Sequence, residues 1–591
     1  MKIIIFDFEV FKYNTLLGCK IISPEEVNIF QTWDLNEIRD FYNENLNSIW
    51  IGWNNESYDN LILQAIIKGE NEKKVKKISD DMILKKRRGY LNIKLNYYDL
   101  MTNHFTGLKS IEAFDGKNIS ESEVDFNIDR PLTEKEKLLT ESYNRDDLEQ
   151  TYENFINLQN EFQLRLDMIN TFNLPLDALH YTGTQVAELV LKAEKIDGIE
   201  DMVIKPKMYK ELILNNPKLI NFYLNEKYRT TEKLKIDVCG LEHKIGMGGI
   251  HAAKNNYTTD WAYYFDVSGY YNLIMINYDL LPRTIPEESK KLYTFMYEEQ
   301  LRLKKIDPGK RKVYKPILLA VFGAEINPHC KFYDPYKGRL VTITGEIFLV
   351  DLLEKLEGKV ELIQSNTDGI IAKPLPGVKD EELINTINEW QNRTGFVLKL
   401  DKIYDIHQRD VNNYMYRDSK GEIHVLGEAL KHYKGDKNAF VTDGYNSKEP
   451  LIISNCIVEY FINGKSPEEI IEENKDNLKL FQYICKKLSF DWIEYDKMNL
   501  TNGISISEKV QNVNRAFAYN NPNEIGMLYK YKEVDGKLKK TKISNLPKSV
   551  FVYNNEILSK EARDKIQPMI DYDYYILRAY ERIAEFAGIE I

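Results

Sequence analysis

Cysteine is scarce and scattered in this 591-residue chain. There are five, Cys19, Cys239, Cys330, Cys456 and Cys485, and no two form a Cys-x-x-Cys pair. That excludes a local zinc knuckle and fits reduced thiols in a cytosol. Long apolar runs are also missing: none approaches the roughly 20 residues that a spanning helix needs. The N-terminus runs straight into a strand pattern with no signal peptide, so the expectation is a cytoplasmic chain without membrane contact. A basic excess is absent too, since the net charge is −11. A phosphate-binding domain usually carries a basic footprint, so the charge argues against nucleic-acid binding unless a basic channel lies inside an acidic exterior. What is present is core material. Hydrophobic residues make up 43% and charged residues of mixed sign 29%, which excludes a disordered chain. At roughly 150 residues per domain the length suggests about three to four domains.

Lys2 to Phe8 (KIIIFDF) is a nearly continuous apolar run, the pattern of a central strand buried on both faces. Asp7 and Glu9 stand two apart, so on a strand their side chains share a face. Paired acids on a core strand repel unless a divalent cation neutralises them; the alternative is a strand end with two solvated acids. Three later segments favour the cation. Ile49 to Leu63 has a short strand, an Asn55-x-x-Tyr58-Asp59 turn and a helix start. Tyr97-Tyr98-Asp99 reads as another strand end. Ser142 to Phe155 reads as a helix on which Tyr143 and Asp147 share a face. Asp7, Glu9, Asp59 and Asp147 are then a ligand set for a pair of Mg²⁺ or Mn²⁺ ions.

The ordered motifs Asp-x-Glu, Asn-x-x-Tyr-Asp and Tyr-x-x-x-Asp resemble those of DnaQ-like 3′→5′ proofreading exonucleases with an RNase H-like fold. The resemblance implies that the four acids hold two metals, that Tyr143 orients the attacking water and that Asn55 touches DNA. Lys109, in GLKSIEAF, sits where related phage enzymes carry a helpful lysine; a solvated lysine at a helix start is the alternative. Residues 68–88 hold the basic runs KKVKK and KKRR, either a solvated face or a ridge tracking single-stranded DNA.

Residues 166–260 read as a largely helical connector broken by Pro206 and Pro217. It ends in His243 to Ala253, whose Gly246, Gly248 and Gly249 permit tight turns. No Gly-Lys-Ser/Thr follows, so this is not a P-loop. It stands where related polymerases carry a Tyr-x-Gly-Gly link, which implies template contact for Gly248 and Gly249, although Gly246 replaces the tyrosine.

The aromatic run Trp261 to Met275 reads as a buried strand with one carboxylate, Asp266, at its end, then a turn at Val267-Ser268-Gly269 and a second apolar run with Tyr270 and Tyr271. A lone buried acid is costly unless paired or metal-bound. Its expected companion is Asp368, in the hairpin pattern Lys359 to Lys373 around Thr-Asp-Gly. Between them, residues 298–323 read as two helices around Asp307-Pro308-Gly309. Arg311 and Lys315 share a face of the second helix and suit a triphosphate, and Pro316 is expected to kink it.

Asp266-x-x-x-x-Tyr271, Lys315 with Gly323, and Thr367-Asp368 resemble motifs A, B and C of family B DNA polymerases. By that resemblance Asp266, the Val267 carbonyl and Asp368 hold two Mg²⁺ (or Mn²⁺) ions. Ser268, Gly269 and Tyr271 bound the nucleotide site, with Tyr271 as the steric gate against ribonucleotides. Tyr414 in a second hairpin, 411–427, matches the tyrosine of the primer-gripping strand. The departures are Gly269, Tyr270 and Asn272 in motif A, Leu319, Ala320 and Phe322 in motif B, and Asn366 in motif C. Short intervals between motifs argue for an ordinary primer over terminal-protein priming.

The implied architecture is α/β and α+β: an RNase H-like exonuclease domain (1–165), a connector with the start of the palm (166–260), and a right-hand polymerase. Its ferredoxin-like palm spans 261–430, with helical fingers inserted at about 285–325, and its thumb spans 431–591. The thumb is expected to alternate amphipathic helices (467–488 and 560–586) with a VDGKLKK hairpin and to hold duplex through phosphates. Expected partners are primer–template DNA, a single-stranded 3′ end, deoxynucleoside triphosphates and replication accessory proteins, in phage-type replication by a monomer. The competing reading is an exonuclease whose polymerase half has degenerated into a DNA clamp.

Overall fold

In a computed structural model of the chain, residues 2–23, 27–85, 89–198, 209–225, 233–246, 248–435, 440 and 444–589 are described. The fold is mixed α/β with several sheets. It divides into two compact units. One comprises Met1–His180, His432–Cys456 and Ser466–Ala579; the other comprises Tyr181–Lys431, Ile457–Lys465 and Tyr580–Ile591.

The first unit opens with β1 (Ile3–Val10), β2 (Thr15–Ile22), β3 (Val27–Thr32), β4 (Ile49–Gly52) and β5 (Asn96–Asp99). Their order is β3-β2-β1-β4-β5, which puts the apolar β1 at the centre, antiparallel to β2 and parallel to β4. Around them lie α1 (Leu35–Glu44), α2 (Asp59–Ile67), α3 (Glu72–Lys85), α4 (Leu108–Asp115), α5 (Glu134–Asn157) and α6 (Gln159–Phe172). Phe6 meets Trp50 edge-on at 5.2 Å in a core that takes Ile62 and Ile66 from α2. Helix α5 starts at a capping box, Thr133 with Glu136, which satisfies two open N–H groups. Of the basic runs, Lys73, Lys74, Lys76 and Lys77 lie on α3, where Lys76 pairs with Asp80 at 2.5 Å; the KKRR side chains lie outside the described residues.

The second unit contains α7 (Gly183–Val190), α8 (Pro217–Ile220), β6 (Leu234–Val238), β7 (Leu241–Gly246), β8 (Gly249–Ala253) and β9 (Tyr257–Val267). Four helices follow: α9 (Tyr270–Asn277), α10 (Glu287–Ile306), α11 (Pro308–Ala324) and α12 (Pro335–Leu356). Next come β10 (Val360–Asn366), β11 (Gly369–Pro374), α13 (Asp380–Thr394), β12 (Leu398–Asp410), β13 (Asn413–Arg417) and β14 (Ile423–Leu426). One nine-stranded sheet results, β14-β13-β12-β9-β11-β10-β8-β7-β6.

Two expectations change here. The connector is not helical to its end: 234–253 is a three-stranded meander whose apolar residues alternate, with Ile236, Val238, His243 and Ile245 turned inward. The strand begins before Trp261 and ends at Val267, in the turn expected there; what changes is the second apolar run, which is helix rather than strand. Gly269 turns the chain in the left-handed region (φ 63°), and Tyr270 onward is helix, burying Tyr270, Ile274 and Met275 on one face. Helix α11 continues through Pro316 to Ala324.

The rest of the first unit is richer in strands than expected. It holds β15 (Tyr483–Lys486), β16 (Trp492–Asn499), β17 (Ser505–Val510), β18 (Val513–Ala518), β19 (Glu524–Val534), β20 (Lys537–Lys542) and β21 (Val550–Val552). They form two sheets, β15-β18-β21 and β17-β16-β19-β20. The helix expected over 467–488 ends at Asn474, and Tyr483 and Cys485 are buried with the period of a strand. The 560–586 stretch is two helices, Lys560–Ile566 and Tyr572–Ala587. Pro568, which has no N–H to donate, sits in the turn between them.

Helices α12 and α13 are tied by a two-pronged pair: Arg393 Nη1 and Nη2 donate to Asp351 Oδ2 and Oδ1 at 2.7 and 2.9 Å, and Asp351 is fully buried. Asp351→Ala leaves a largely buried guanidinium unpaired and is expected to cost about 2–3 kcal/mol, read as a lower urea midpoint for this unit. An unchanged midpoint would contradict the pairing.

Candidate active sites

In the first unit, β1 carries Asp7 and Glu9 to its C-terminal end, and α5 brings Asp147 across to them. One ligand oxygen from each of the three lies within 4.8 Å of the others. Asp59 heads α2, where its Oδ1 accepts the Phe8 N–H at 3.2 Å, so it is fastened to the strand between the two acids. Glu9, Asp59 and Asp147 are buried. Burial raises the Asp7 carboxyl well above its ordinary range, with Asp59 and Asp147 adding to it. Glu9 is raised by burial, then by Asp7 and Asp147. Asp59 is pushed up to about 7 by burial. Asp147 is raised by burial against the pull of Lys109.

Tyr143 hydrogen-bonds Asp147, and burial raises its hydroxyl pKa, the nearby carboxylates adding to it. Lys109 is not a solvated lysine. Its Nζ donates to Asp147 Oδ1 at 2.6 Å and to Glu112 Oε1 at 3.1 Å, and it lies 4.9 Å from the Tyr143 ring centroid. Asn55 is fully buried, with Nδ2 on Asn60 Oδ1 at 3.2 Å. Gly52 is required there, because a Cβ would meet the Asn55 Cβ at 2.7 Å.

Sequence reasoning missed Asn144. Its Nδ2 donates to Asp7 Oδ2 at 2.9 Å, and its Oδ1 accepts from Gln31 Nε2 at 3.0 Å. Its only signal was adjacency to Tyr143. The set is all-oxygen and acidic, a donor chemistry that fits Mg²⁺ or Mn²⁺.

In the second unit Asp266 and Asp368 are neighbours. Strands β9 and β11 pair with Asp266 opposite Gly369, and the Val267 N–H donates to the Asp368 carbonyl at 3.0 Å. The hairpin turn is tight: Thr367 takes a left-handed φ of 59°. Burial, then the Asp266 charge, pushes the Asp368 carboxyl up to about 6. Asp266 is raised by burial and drawn back by Lys399, its cross-strand partner on β12, and by Lys304 on α10.

Both acids line a cavity of about 340 Å³ that also receives the cations Lys304, Arg311, Lys315 and Lys399. Ser268, Gly269 and Tyr271 lie on its wall. Lys304 and Lys399 were not foreseen; Lys304 lay in a run of exposed-looking charges, and Lys399 becomes relevant only once β12 is paired with β9.

Several departures from the motifs acquire physical reasons. A side chain at Gly269 would meet the Tyr297 ring at 2.8 Å. Phe322 stacks on Tyr271 with centroids 4.2 Å apart and planes at 14°. Tyr270 is buried, its hydroxyl donating to the Gly345 carbonyl at 2.6 Å. The Asn366 carboxamide oxygen lies 3.1 Å from His251 Nδ1 and 3.2 Å from Thr367 Oγ1, so its side chain braces the turn. Gly249 has φ 107°, and a Cβ there would lie 3.3 Å from Thr367 Oγ1; Gly248 lines a second cavity of about 480 Å³ together with Tyr271 and Phe322. Tyr414 is buried near the two acids, stacked on Tyr416 at 6.3 Å.

No protein-family model matches this sequence, and no curated protein matches it. Solved structures do match. One is the family B DNA polymerase from the hyperthermophilic archaeon Pyrobaculum calidifontis, at 15% identity and a TM-score of 0.43, over 100% of this chain and 78% of that one. That likeness is too slight to carry a function, which rests on the two sites themselves. Among the described residues no helix is long and apolar enough to cross a membrane.

The N-terminal cluster makes a stability prediction. Carboxyls raised on folding hold protons that the unfolded chain releases, so stability falls as pH rises from the ordinary carboxyl range through about 7, the Asp59 value. In EDTA, Asp7→Asn is expected to raise the melting temperature by about 2–4 °C, more at pH 8 than at pH 5.5. Mg²⁺ should stabilise the native chain more than the variant. A lower melting temperature in the variant at pH 8 would contradict this.

Proposed function

We propose that the chain is a template-directed DNA polymerase with a 3′→5′ proofreading exonuclease, working on primer–template DNA and deoxynucleoside triphosphates in phage-type replication. The observation that carries this reading is the meeting of Asp266 and Asp368, from distant parts of the chain, at the mouth of a cation-lined cavity. Asp266 and Asp368 would hold two Mg²⁺ or Mn²⁺ ions, with the Val267 carbonyl available as a further oxygen; Asp7, Glu9, Asp59 and Asp147 would hold a separate pair. Bound there, such ions lower the pKa of the attacking hydroxyl or water and neutralise the departing oxygen.

The residues supply the rest. Arg311, Lys315 and Lys304 offer the triphosphate fixed positive charge from two helices. Tyr271, backed by Phe322, presents a rigid ring where a 2′-hydroxyl would lie. Gly248 and Gly249 would let template backbone pass close to the Asp368 turn, and Tyr414 would support the primer strand. In the exonuclease site Tyr143 would orient water, and Asn55 would shape the turn that meets the 3′ end.

A second reading has one observation in its favour. Asn366, where the resemblance expects a carboxylate, is engaged with His251 and Thr367, leaving two acids in the polymerase site. On that reading the second unit only clamps DNA. Primer extension separates the two. Asp368→Ala should lower extension by about 10²–10³-fold or more and spare degradation of a single-stranded 3′ end; Asp7→Ala should do the reverse. Asp7→Ala protein that cannot extend a primer with Mg²⁺ or Mn²⁺ would favour the clamp. Tyr271→Ala should admit ribonucleotides, and unchanged sugar discrimination would refute the gate.

A further inference from the structure

Arg515, on β18, is completely buried and has no carboxylate among its hydrogen-bond partners. Its Nε donates to Gln482 Oε1 at 2.8 Å, Nη1 to the Asn555 carbonyl at 2.7 Å, and Nη2 to the carbonyls of Ala113 and Lys117 at 2.8 and 2.9 Å. Burying a guanidinium with no hydrogen-bonded carboxylate among the described residues, and only the charge of Glu556 acting on it, is expensive. It is tolerated here because the planar fork matches several acceptors at once.

Those acceptors have a pattern. Ala113 lies in the last turn of α4, where carbonyls run short of partners inside the helix; its own also accepts the capping Gly116 N–H at 3.2 Å. Gln482 Nε2 takes the next one, Phe114, at 2.9 Å, and the Ile557 N–H takes Gly116 at 2.9 Å. The C-terminal end of α4 is therefore bound into a segment from the far end of the chain, within the same unit. A fixed positive charge at that end also complements the helix dipole. One turn back along α4 from Ala113 stands Lys109, whose Nζ lies 2.6 Å from Asp147 Oδ1.

We propose that Arg515 is a positioning residue of the N-terminal carboxylate site. By clamping the last turn of α4 it holds Lys109 on Asp147, and so couples the β15-β18-β21 sheet to the geometry of the four acids. The catalytic part of this inference rests on reading that site as an exonuclease. The positional part does not.

The experiment uses the full-length chain with Arg515→Lys, Gln482→Met, Lys109→Met and the double variant R515K/K109M. Three readouts are compared. Amine acylation followed by mass spectrometry reports Lys109 directly: Arg515→Lys and Gln482→Met should each speed its labelling several-fold. Exonuclease assays on a single-stranded 3′ end should show Arg515→Lys lowering kcat about 10-fold with KM within twofold, while in the K109M background it costs less than twofold, the non-additivity of residues acting through one another. Primer extension by the same preparations should stay within twofold, which a general loss of folding would not allow. If Arg515→Lys lowers extension as well, Gln482→Met carries the test. Unchanged Lys109 labelling in both clamp variants, or fully additive losses in the double variant, overturns the proposal. A native chain with no exonuclease activity sinks the exonuclease reading instead, and the labelling then decides the role of Arg515 alone.

Discussion

A carboxylate taken out of water beside another carboxylate is unstable, and this protein does it twice. In the first unit Asp7, Glu9 and Asp147 crowd together with Asp59 tied to the same strand. In the second, Asp368 and Asp266 stand on paired strands. In both places the neutral or protonated form is favoured by burial before any other cause. Folding free energy does not tolerate such clusters without compensation. Part of it is visible: Lys109 and Asn144 on the first cluster, Lys399 and Lys304 near the second. The remaining donors are all oxygens of acidic groups, a chemistry that suits a hard divalent cation. Both architectures serve to hold these groups against their repulsion, the first by placing Asp7 and Glu9 on a central strand, the second by backbone pairing of the two acid-bearing strands.

Much of this was legible because the acids sit at element ends flagged by local pattern. The continuous apolar run before Asp7 announced a central strand, and β1 is central. The helix start at Asp59 and the helix through Tyr143 and Asp147 followed from turn residues and spacing. Thr-Asp-Gly between apolar runs announced the hairpin that bears Asp368. What was not legible depends on partners distant in sequence. Lys109 looked solvated because its partner, Asp147, lies on another helix. The turn after Asp266 was legible, but the run from Tyr270 read as strand because an apolar aromatic run suits strand and helix alike. Of the C-terminal strands only the VDGKLKK hairpin was legible; the others were hidden among lysines and asparagines, and the role proposed for Arg515 depends on carbonyls 402 and 398 residues away.

The departures from family motifs are informative because they have local causes. Gly269 leaves room for Tyr297 where a side chain would collide. Phe322 keeps an aromatic face against Tyr271 without a hydroxyl. Asn366 exchanges a charge for hydrogen bonds to His251 and Thr367, which lowers the number of repelling acids in the second site and stiffens the turn beside Asp368. These are packing arrangements around a pair of acids, and four cations line the same cavity.

The central claim is that the carboxylates of Asp266 and Asp368 share divalent cations when nucleotide is present. Crystals grown with Mn²⁺, a primer–template lacking the 3′-hydroxyl and the matching deoxynucleoside triphosphate allow the ions to be located by anomalous scattering. The account predicts manganese peaks in contact with both carboxylates and with the triphosphate, whose phosphates reach Arg311 and Lys315. Triphosphate bound with no manganese between Asp266 and Asp368, or manganese held elsewhere in the cavity, would contradict it.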